Sequence, residues 1–249
     1  MKIGIIGTGN IGKTLALRLS EANHSVKVAN SRGPETIDKE ILANGAHAVT
    51  AEDAVKDVDV IILSIPFSAI KDIAPLFANV SKDTVVIDTS NYYPQRDGKI
   101  AEVEAGQIES EWVVKQIGRP IAKAWNTILA ASFAKQGKVA GDPSRLAIPV
   151  AANDEKSMHV ALSLVEDTGL DAVDAGNIVD SWRQQPGSPV YCTELTKDEI
   201  KPALDKAERK LLPKRRDMAI ATITERFTET EPNTDDIVQI NREIYMPEV

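Results

Sequence analysis

Three glycines near the amino terminus, Gly7, Gly9 and Gly12, have the spacing G-x-G-x-x-G. They follow an apolar run at residues 3–6 that suits a buried strand, and they precede a segment with helical periodicity. In this context the first glycine permits a tight turn, the second lets the backbone approach a pyrophosphate, and the third lets the helix pack closely on the strand. The free N–H groups at the start of the helix can bind the anion. We therefore predict a dinucleotide site formed by Gly7, Thr8, Gly9, Asn10, Ile11 and Gly12.

The end of the second predicted strand indicates which dinucleotide binds. In NAD-binding sheets an Asp or Glu usually lies about 20 residues after the glycines, where it holds the ribose 2′-hydroxyl. This chain has Asn30, Ser31 and Arg32 in that region instead. The Arg32 guanidinium can bind a 2′-phosphate through two parallel charge-assisted hydrogen bonds, and the Ser31 hydroxyl can donate another. The alternative is a solvent-exposed arginine beside a turn. The sequence favours NADP over NAD.

Short polar turns follow three further predicted strands: Ser64-Ile65-Pro66, Ser90-Asn91 and Trp125-Asn126-Thr127. The carboxyl ends of parallel strands meet at one edge of a sheet, and such sheets bind their ligands at that edge. We therefore predict that the three turns form the walls of a nicotinamide pocket. The alternative is ordinary turn chemistry, in which Ser and Asn satisfy nearby backbone groups.

Residues with ordinary catalytic chemistry do not gather in the sequence. His24, His47 and His159 fall at predicted helix or surface positions, and Cys192 has no evident activating base. No group of residues has the spacing of a metal site. We therefore predict neither a metal nor an acid–base residue. Hydride transfer between two ring systems fits this combination, because it needs alignment at about 3–3.5 Å more than it needs a proton donor.

Apolar segments of strand length alternate with segments of helical periodicity over the first 175 residues. The alternation predicts an α/β fold with a doubly wound, mostly parallel sheet. Pro34 is expected to begin a helix that runs towards Asn44 and directs its positive end at the 2′-phosphate. Pro149, in a predicted strand at residues 146–151, favours an edge or a bulge over a central position.

The character of the sequence changes near Gly176, where the regular alternation ends. We expect an NADP-binding domain at residues 1–175 and a helical segment at residues 176–227 that closes the active site. Residues 228–249 are acidic with scattered apolar groups, and we expect an arm that is either flexible or docked on a partner subunit.

Charge and composition limit the classes of partner. The chain has 249 residues, a net charge of −8 and a single cysteine. This charge argues against general binding of nucleic acid or of acidic membranes. No apolar run approaches the roughly 20 residues that span a bilayer. Met1 and Lys2 lead directly into the first predicted strand, which leaves no room for a signal peptide, so we expect a cytoplasmic protein.

With these residues assembled, the chain resembles the family of coenzyme F420-dependent NADP oxidoreductases, small Rossmann proteins that pass hydride between NADPH and a deazaflavin. The resemblance extends to about residue 175 and rests on the glycine turn, Asn30-Ser31-Arg32, Ser64-Ile65-Pro66 and the segment Lys-Ala-Trp-Asn-Thr-Ile at residues 123–128. It implies that part of the glycine turn approaches the pyrophosphate, namely Thr8, Asn10 and Ile11. It also implies that Ser31 and Arg32 bind the 2′-phosphate. The nicotinamide would be flanked by Ile65, Pro66, Ala124, Trp125 and Asn126.

The acceptor side departs from this family. Deazaflavin-using members tend to have histidine where this chain has Asn126, and a shorter carboxyl-terminal segment. A flat acceptor ring could stack on Trp182 or on Tyr191, although Trp182 is equally suited to anchoring the core. The candidate substrate residues are Asn126, Thr127, Trp182, Arg183 and Tyr191.

The expected function is therefore an NADPH-dependent oxidoreductase that acts as a homodimer on a small-molecule acceptor, with F420 or a flavin as co-substrate. One alternative is a reductase of small carbonyls or imines, related to the hydroxyacid dehydrogenases. That family places a catalytic lysine on a long helix of a second domain, which this chain is too short to hold. The other alternative is a protein that senses NADPH without turnover, which the lack of an acid–base residue also permits.

Overall fold

A central β-sheet organises the protein in the computed structural model, which describes residues 1–228 and 230–246; residue 229 and residues 247–249 of the expected arm lie outside it. Within the described part the sheet has eight strands in the order β3-β2-β1-β4-β5-β6-β7-β8. Strands β1 to β6 are mutually parallel, β7 is antiparallel to β6, and β8 is parallel to β7. The predicted doubly wound, mostly parallel sheet is confirmed. The strands are β1 (Lys2–Ile6), β2 (Ser25–Ala29), β3 (His47–Ala48), β4 (Val60–Leu63), β5 (Val85–Asp88), β6 (Ala122–Lys123), β7 (Ala147–Ala152) and β8 (Asp171–Asp174).

Helices cover the sheet and fill the carboxyl-terminal segment. The α-helices are α1 (Asn10–Glu21), α2 (Ala51–Ala54), α3 (Pro94–Asp97), α4 (Ala101–Glu104), α5 (Glu109–Ile117), α6 (Ala130–Lys135), α7 (Glu155–Asp167), α8 (Lys197–Asp205), α9 (Leu212–Arg226) and α10 (Thr234–Tyr245). The 3₁₀ helices are Pro34–Thr36, Lys39–Leu42, Phe67–Asn79, Ile178–Gln184 and Arg209–Leu211.

The core lies on both faces of the sheet because alternate strand residues point to opposite sides. Ile5 and Ile62 belong to a buried cluster that includes residues of α1 and α7. Ile61 and Leu63 belong to a second cluster that includes Trp112 of α5. The burial of both faces of β1 and β4 explains why their sequences are continuously apolar.

The helix expected from Pro34 to Asn44 is wrong. Two short 3₁₀ helices occupy the region, and the backbone is extended at Ile37 between them. The Asp38 side chain accepts a hydrogen bond from the backbone N–H of Glu40 at 3.0 Å, which begins a new turn instead of continuing the first. A three-residue helix has little dipole, so any charge offered to a 2′-phosphate here comes from side chains.

The position expected for Pro149 is also wrong, because β7 is an interior strand between β6 and β8. The short strand β6 pairs only with Ala151 and Ala152, so it places no partner opposite Pro149. The Pro149 carbonyl instead accepts a hydrogen bond from Nε2 of Gln184 at 2.9 Å. The proline is tolerated because its nitrogen, which has no hydrogen to donate, lies on the side of β7 where β6 ends before reaching it.

The expected arm is, over much of its length, helix α10 packed on this chain. The Asn241 side chain donates a hydrogen bond to the carbonyl oxygen of Cys192 at 3.1 Å, and Nε of Arg242 donates to that of Thr193 at 2.8 Å. Ile240 and Tyr245 are buried against the same region. The scattered apolar residues are therefore one face of an amphipathic helix. Among the described helices, none combines the length and apolar character needed to cross a membrane.

Candidate dinucleotide and acceptor site

The three glycines that join β1 to α1 have different structural roles. Gly7 has φ +107°, and a Cβ there would overlap the backbone carbonyl of Ser64. A Cβ on Gly12 would overlap the carbonyl of Gly7. A Cβ on Gly9 would meet no atom within 4 Å, and the residue is exposed. Two of the glycines are therefore required by the fold itself, whereas Gly9 leaves space in front of the turn for a ligand.

The amino terminus of α1 can bind an anion. Gly9 precedes the helix in an extended conformation, and its cap position makes no side-chain hydrogen bond to the first turn. The first turn has no acidic residue. The leading N–H groups and the positive end of the helix dipole thus remain available to a phosphate, next to the open side of Gly9.

Asn30 organises the turn that presents Ser31 and Arg32. Its Oδ1 accepts the backbone N–H of Arg32 at 2.9 Å, and its Nδ2 donates to Oγ1 of Thr36 at 2.9 Å. Ser31 and Arg32 are both exposed. Within the described residues, the Arg32 guanidinium has no hydrogen-bonding or ionic partner, which leaves it free for an anionic ligand.

The ends of β4, β5 and β6 lie at the same edge of the sheet, because the three strands are parallel neighbours. The backbone N–H of Ser64 donates to the carbonyl of Ile6 at 2.8 Å, which ties the end of β4 to the glycine turn. Asn91 and Asn126 bind one another twice, through Nδ2 of Asn91 to the Asn126 carbonyl at 2.9 Å and Nδ2 of Asn126 to Oδ1 of Asn91 at 3.1 Å. Pro66 is exposed at the mouth, while Asn126 is only 2% exposed. We call the edge of the sheet between the exposed Gly9 and the buried Asn126 the cleft.

Three residues predicted for the nicotinamide walls have buried side chains. The Trp125 indole is 1% exposed in the core, where its Nε1 donates to Oγ1 of Thr168 at 3.1 Å. Trp125 has φ +55°, and this left-handed conformation turns the chain at the end of β6. Ala124 and Ser90 are likewise buried.

The candidate acceptor residues separate into one partly exposed group and one buried group. Trp182 is partly exposed, and the Arg183 guanidinium carbon lies 5.1 Å from its ring centroid. Tyr191 is 7% exposed, and its hydroxyl accepts a hydrogen bond from that of Tyr93 at 2.9 Å. Burial raises the pKa of the Tyr191 phenol well above its usual value. Thr127 is buried. Of the two aromatic rings proposed for stacking, only that of Trp182 is accessible.

Gln184 contacts Asn126, a candidate site residue, and this contact was not predicted. Its backbone carbonyl accepts a hydrogen bond from Nδ2 of Asn126 at 2.8 Å, so residues 178–184 lie against the end of the cleft at Asn126. Gln184 is fully buried. Only the polar character of the sequence around it pointed to this segment, since the contact joins residues 58 positions apart.

A buried ion pair lies at the ends of β5 and β6. Nζ of Lys123 lies 2.7 Å from Oδ2 of Asp88, with the side chains 1% and 0% exposed, and it also donates to the carbonyl of Ser90. The backbone N–H of Ser90 donates to Oδ1 of Asp88 at 3.1 Å. The pair joins the ends of β5 and β6, where the two residues are in register. The sequence signal for such a pair is an acidic residue at the end of one apolar strand and a basic residue at the end of its neighbour.

Glu109, the first residue of α5, is a second buried charge that the sequence did not reveal. It is 3% exposed, and its Oε2 accepts the backbone N–H of Tyr92 at 3.1 Å. Burial raises the pKa of this carboxyl to about 7, and the opposing effects of Lys123, the Gln185 side chain, the Tyr92 N–H and Arg216 are smaller. Glu109 therefore changes its charge near neutral pH.

The stability of the protein should depend on the protonation of Glu109. The carboxyl binds its proton more tightly when folded (pKa about 7) than in its usual state at 4.5, so its contribution to stability is complete below pH 4.5 and is lost as the pH rises through 7. The difference corresponds to about 3 kcal/mol at roughly 1.4 kcal/mol per pKa unit. Glu109→Gln should therefore gain stability relative to wild type between pH 5 and pH 8, as measured by urea unfolding. The exposed Glu111→Gln on the same helix is the control, and a constant difference for Glu109→Gln across this range would contradict the expectation.

The three histidines lie apart from the cleft. His24 contacts the amino terminus at 3.1 Å and Asp167 at 3.0 Å. His47 lies on the edge strand β3, and His159 is exposed on α7. Across residues 1–228 and 230–246, no cluster of three or more His, Cys, Asp or Glu could hold a metal ion. Burial also raises the pKa of the Cys192 thiol to about 12, so this cysteine is no nucleophile.

Comparison with known proteins agrees with this geometry. A profile of the family described as "NADP oxidoreductase coenzyme F420-dependent" matches residues 2–92, which contain the glycine turn, Arg32 and the end of β5. The protein YjhV of Escherichia coli K12 is 37% identical over 111 residues, covering 43% of this chain and 77% of that protein.

Solved structures share the fold. Protein SMa0349 of Sinorhizobium meliloti superposes with a TM-score of 0.70 at 30% identity, covering 80% of this chain and 96% of that one. A protein of Arthrobacter sp. FB24 named as an F420-dependent NADP-reductase gives a TM-score of 0.56 at 20% identity, covering 73% of this chain and 87% of that one. At that identity the likeness concerns the fold alone. The profile match, together with the similarity to YjhV and to SMa0349, shows that the chain belongs to the family of coenzyme F420-dependent NADP oxidoreductases.

Proposed function

We propose that this protein binds NADPH and transfers hydride between it and a flat ring acceptor, either F420 or a flavin. The observation that carries the proposal is the hydrogen-bonded set near Asn126, in which the Asn91 side chain, the Asn126 side chain and the Gln184 carbonyl are all neutral groups. Neutral amides position a ring through its polar edge, but they do not exchange protons at neutral pH. Such a cleft suits a reaction whose main requirement is alignment.

The cofactor would lie across the strand ends from Arg32 to Asn126. In this arrangement Thr8, Asn10 and Ile11 approach the pyrophosphate above the open side of Gly9. Ser31 and Arg32 bind the 2′-phosphate. The nicotinamide end is flanked by the following side chains and backbone: Ser64, Ile65, Pro66, Ser90, Asn91, Ala124, Trp125 and Asn126.

The acceptor would enter beside the segment that contains Trp182. This ring is partly exposed, and the adjacent Arg183 could pair with an acidic group on the acceptor. We propose that residues 176–227 close the cleft over the NADP-binding residues 1–175, since Gln184 already binds Asn126. Tyr191, buried with its hydroxyl on Tyr93, would support this segment from within.

A panel of acceptors tests the reaction. Oxidation of NADPH is followed at fixed enzyme with F420, FMN, riboflavin and a set of small ketones and imines. We expect turnover with at least one of the ring acceptors and none with the small carbonyls. Turnover confined to carbonyls or imines would support the alternative reductase, while tight NADPH binding without any turnover would support an NADPH sensor.

The Arg32→Ala variant tests the choice of cofactor. A charge-assisted hydrogen bond contributes about 1.5–3 kcal/mol, so the Kd for NADPH should rise by about 10- to 100-fold while the Kd for NADH stays the same. Both constants are measured by calorimetric titration. Arg226→Ala, which removes an exposed arginine of α9, is the matched control. Equal affinity of the wild type for NADPH and NADH, unchanged in Arg32→Ala, would contradict the assignment.

A further inference from the structure

A basic segment joins helix α8 to helix α9. Residues 206–216 contain six basic residues and one acidic residue, in a chain whose net charge is −8. Positive charge is thus concentrated in one short stretch of an acidic protein, where it attracts anions locally. We call residues 206–216 the basic segment. Its basic residues are Lys206, Arg209, Lys210, Lys214, Arg215 and Arg216.

The amino-terminal end of the basic segment lies beside the candidate acceptor residues. The guanidinium carbon of Arg183 lies 5.1 Å from the Trp182 ring centroid. Nη1 of the same guanidinium lies 3.5 Å from Oδ1 of Asp205. Asp205 directly precedes Lys206. The partly exposed Trp182 ring is therefore connected to the start of the basic segment through a single side chain.

Two further contacts connect the basic segment with the candidate site. Gly187 approaches the start of α9 so closely that a Cβ on it would overlap the Leu212 carbonyl. The guanidinium carbon of Arg216 lies 5.8 Å from the Tyr92 ring centroid. Tyr92 directly follows Asn91, a residue predicted for the nicotinamide pocket. The basic segment therefore borders both the residues around Trp182 and the residues that follow β5.

Much of the positive charge in the basic segment is unpaired. Lys206, Lys210 and Lys214 are exposed, and among the residues that the structure describes none of the three ammonium groups has an ionic or hydrogen-bonding partner. Arg215, in contrast, pairs with Glu208 at 3.0 Å. Exposed lysines are also typical of a solvated surface, so they indicate a ligand only together with a second observation.

That second observation is a pair of buried guanidinium nitrogens without an acceptor. Nη1 of Arg215 and Nε of Arg183 are both buried, and neither has a hydrogen-bond partner in residues 1–228 and 230–246. The Arg215 side chain is only 12% exposed. A buried donor without an acceptor is costly, and a charged donor more so. Since one nitrogen belongs to the basic segment and the other follows Trp182, an anion bound where the two segments meet would supply the missing acceptors.

We propose that the basic segment is a subsite for a phosphate or carboxylate side chain of the ring acceptor. The inference rests on the proposed function, because it takes the acceptor ring to bind beside Trp182. It also narrows the class of acceptor, since a ring with an anionic side chain is bound in preference to a neutral one. FMN is therefore preferred to riboflavin, which has the same ring without the phosphate. By the same reasoning F420 is preferred to 5-deazariboflavin.

Equilibrium binding tests the subsite without any need for turnover. The fluorescence of each ring compound is titrated with protein saturated with NADP⁺, at about 50 mM and about 500 mM salt. In the wild type we expect FMN to bind about tenfold more tightly than riboflavin at the lower salt concentration. The preference should fall to about twofold at the higher concentration, because salt screens exposed charges. F420 and 5-deazariboflavin should show the same pattern.

Removing the three exposed lysines should remove the preference. In the triple variant Lys206→Gln, Lys210→Gln and Lys214→Gln, the Kd for FMN should rise about tenfold at low salt and approach that for riboflavin. The Kd values for riboflavin and for NADPH should stay at their wild-type values, because neither the ring nor the dinucleotide contacts these lysines in the proposed arrangement. All three positions are exposed, so the variant is expected to fold.

A matched triple variant controls for net charge. It replaces three exposed lysines that lie at or just before the amino ends of β1, β4 and β5, on the opposite edge of the sheet from the cleft. These lysines are Lys2, Lys56 and Lys82, each changed to Gln. The control loses the same charge as the first variant, and it should keep the wild-type preference for FMN.

The outcomes separate the two proposals. Equal affinity of the wild type for FMN and riboflavin at low salt, or a preference that the Lys206, Lys210 and Lys214 variant retains, overturns the subsite. The same holds for a preference that the control variant loses equally. The predicted preference in a protein that reduces no ring acceptor supports the subsite and rejects the proposed reaction. Reduction of FMN and riboflavin with equal KM supports the reaction and overturns the subsite, while a protein that binds none of the four rings contradicts both.

Discussion

Replacing Gly9 with alanine is expected to raise the Kd for NADPH about a hundredfold while leaving the stability of the fold unchanged. A Cβ at Gly9 meets no protein atom within 4 Å, and the residue has φ −68°, which alanine adopts without strain. The methyl group would instead occupy the space through which the pyrophosphate reaches the helix N–H groups. Losing two such charge-assisted hydrogen bonds accounts for the expected change in Kd.

Gly12→Ala provides the contrasting variant. Its Cβ would overlap the Gly7 carbonyl, so the turn and α1 must move apart, at a cost of about 1–3 kcal/mol in unfolding free energy. Thermal unfolding and NADPH titration of the two variants separate the effects. We expect weakened NADPH binding with an unchanged Tm for Gly9→Ala, and a lowered Tm for Gly12→Ala. Wild-type NADPH affinity in Gly9→Ala would show that the dinucleotide does not lie against this turn.

Lys123→Met is expected to cost about 3–5 kcal/mol of unfolding free energy, because it leaves the Asp88 carboxylate buried without its cation. Because methionine is nearly as long as lysine, the lost unfolding free energy reflects the missing charge more than a cavity. Replacing both partners, as Asp88→Asn with Lys123→Met, should recover most of the loss. Urea unfolding of the two single variants and the double variant measures the coupling. Additive effects, with the double variant no better than Lys123→Met, would contradict a direct interaction between the two side chains.

Features encoded in short stretches of sequence were predictable. The turn between β1 and α1 was predicted from the spacing of Gly7, Gly9 and Gly12 and from the apolar residues that flank them. The strands followed from continuous apolar runs such as Val60–Leu63, because both faces of the sheet are covered. The convergence of Asn91 with Asn126 followed from a rule about parallel sheets, without any knowledge of their hydrogen bonds.

Features that depend on distant contacts were not predictable. Trp125 directly follows a strand, where site residues are expected, but its indole is buried in the core and donates a hydrogen bond to Thr168. Tyr191 has an aromatic ring that could stack on an acceptor, but the ring is buried, and its hydroxyl accepts a hydrogen bond from Tyr93. The burial of Glu109 arises where α5, the segment after β5 and residues 181–185 meet, and an acidic residue at the start of a helix gives no sign of this. Residues expected to form an arm form helix α10 instead, because the apolar face of this helix packs on the rest of the chain.

Direct hydride transfer from NADPH to a ring can be followed with an isotope label. NADPH deuterated at C4 of the nicotinamide, as each of the two stereoisomers, is mixed with excess enzyme and either F420 or 5-deazariboflavin in ordinary water. Both acceptors have carbon at the position that receives hydride, so the label does not exchange after transfer. We expect mass spectrometry to find one deuterium on the reduced ring from one of the two stereoisomers. Bound NADPH without reduction of either ring, or a reduced ring carrying only solvent hydrogen from both stereoisomers, would contradict it.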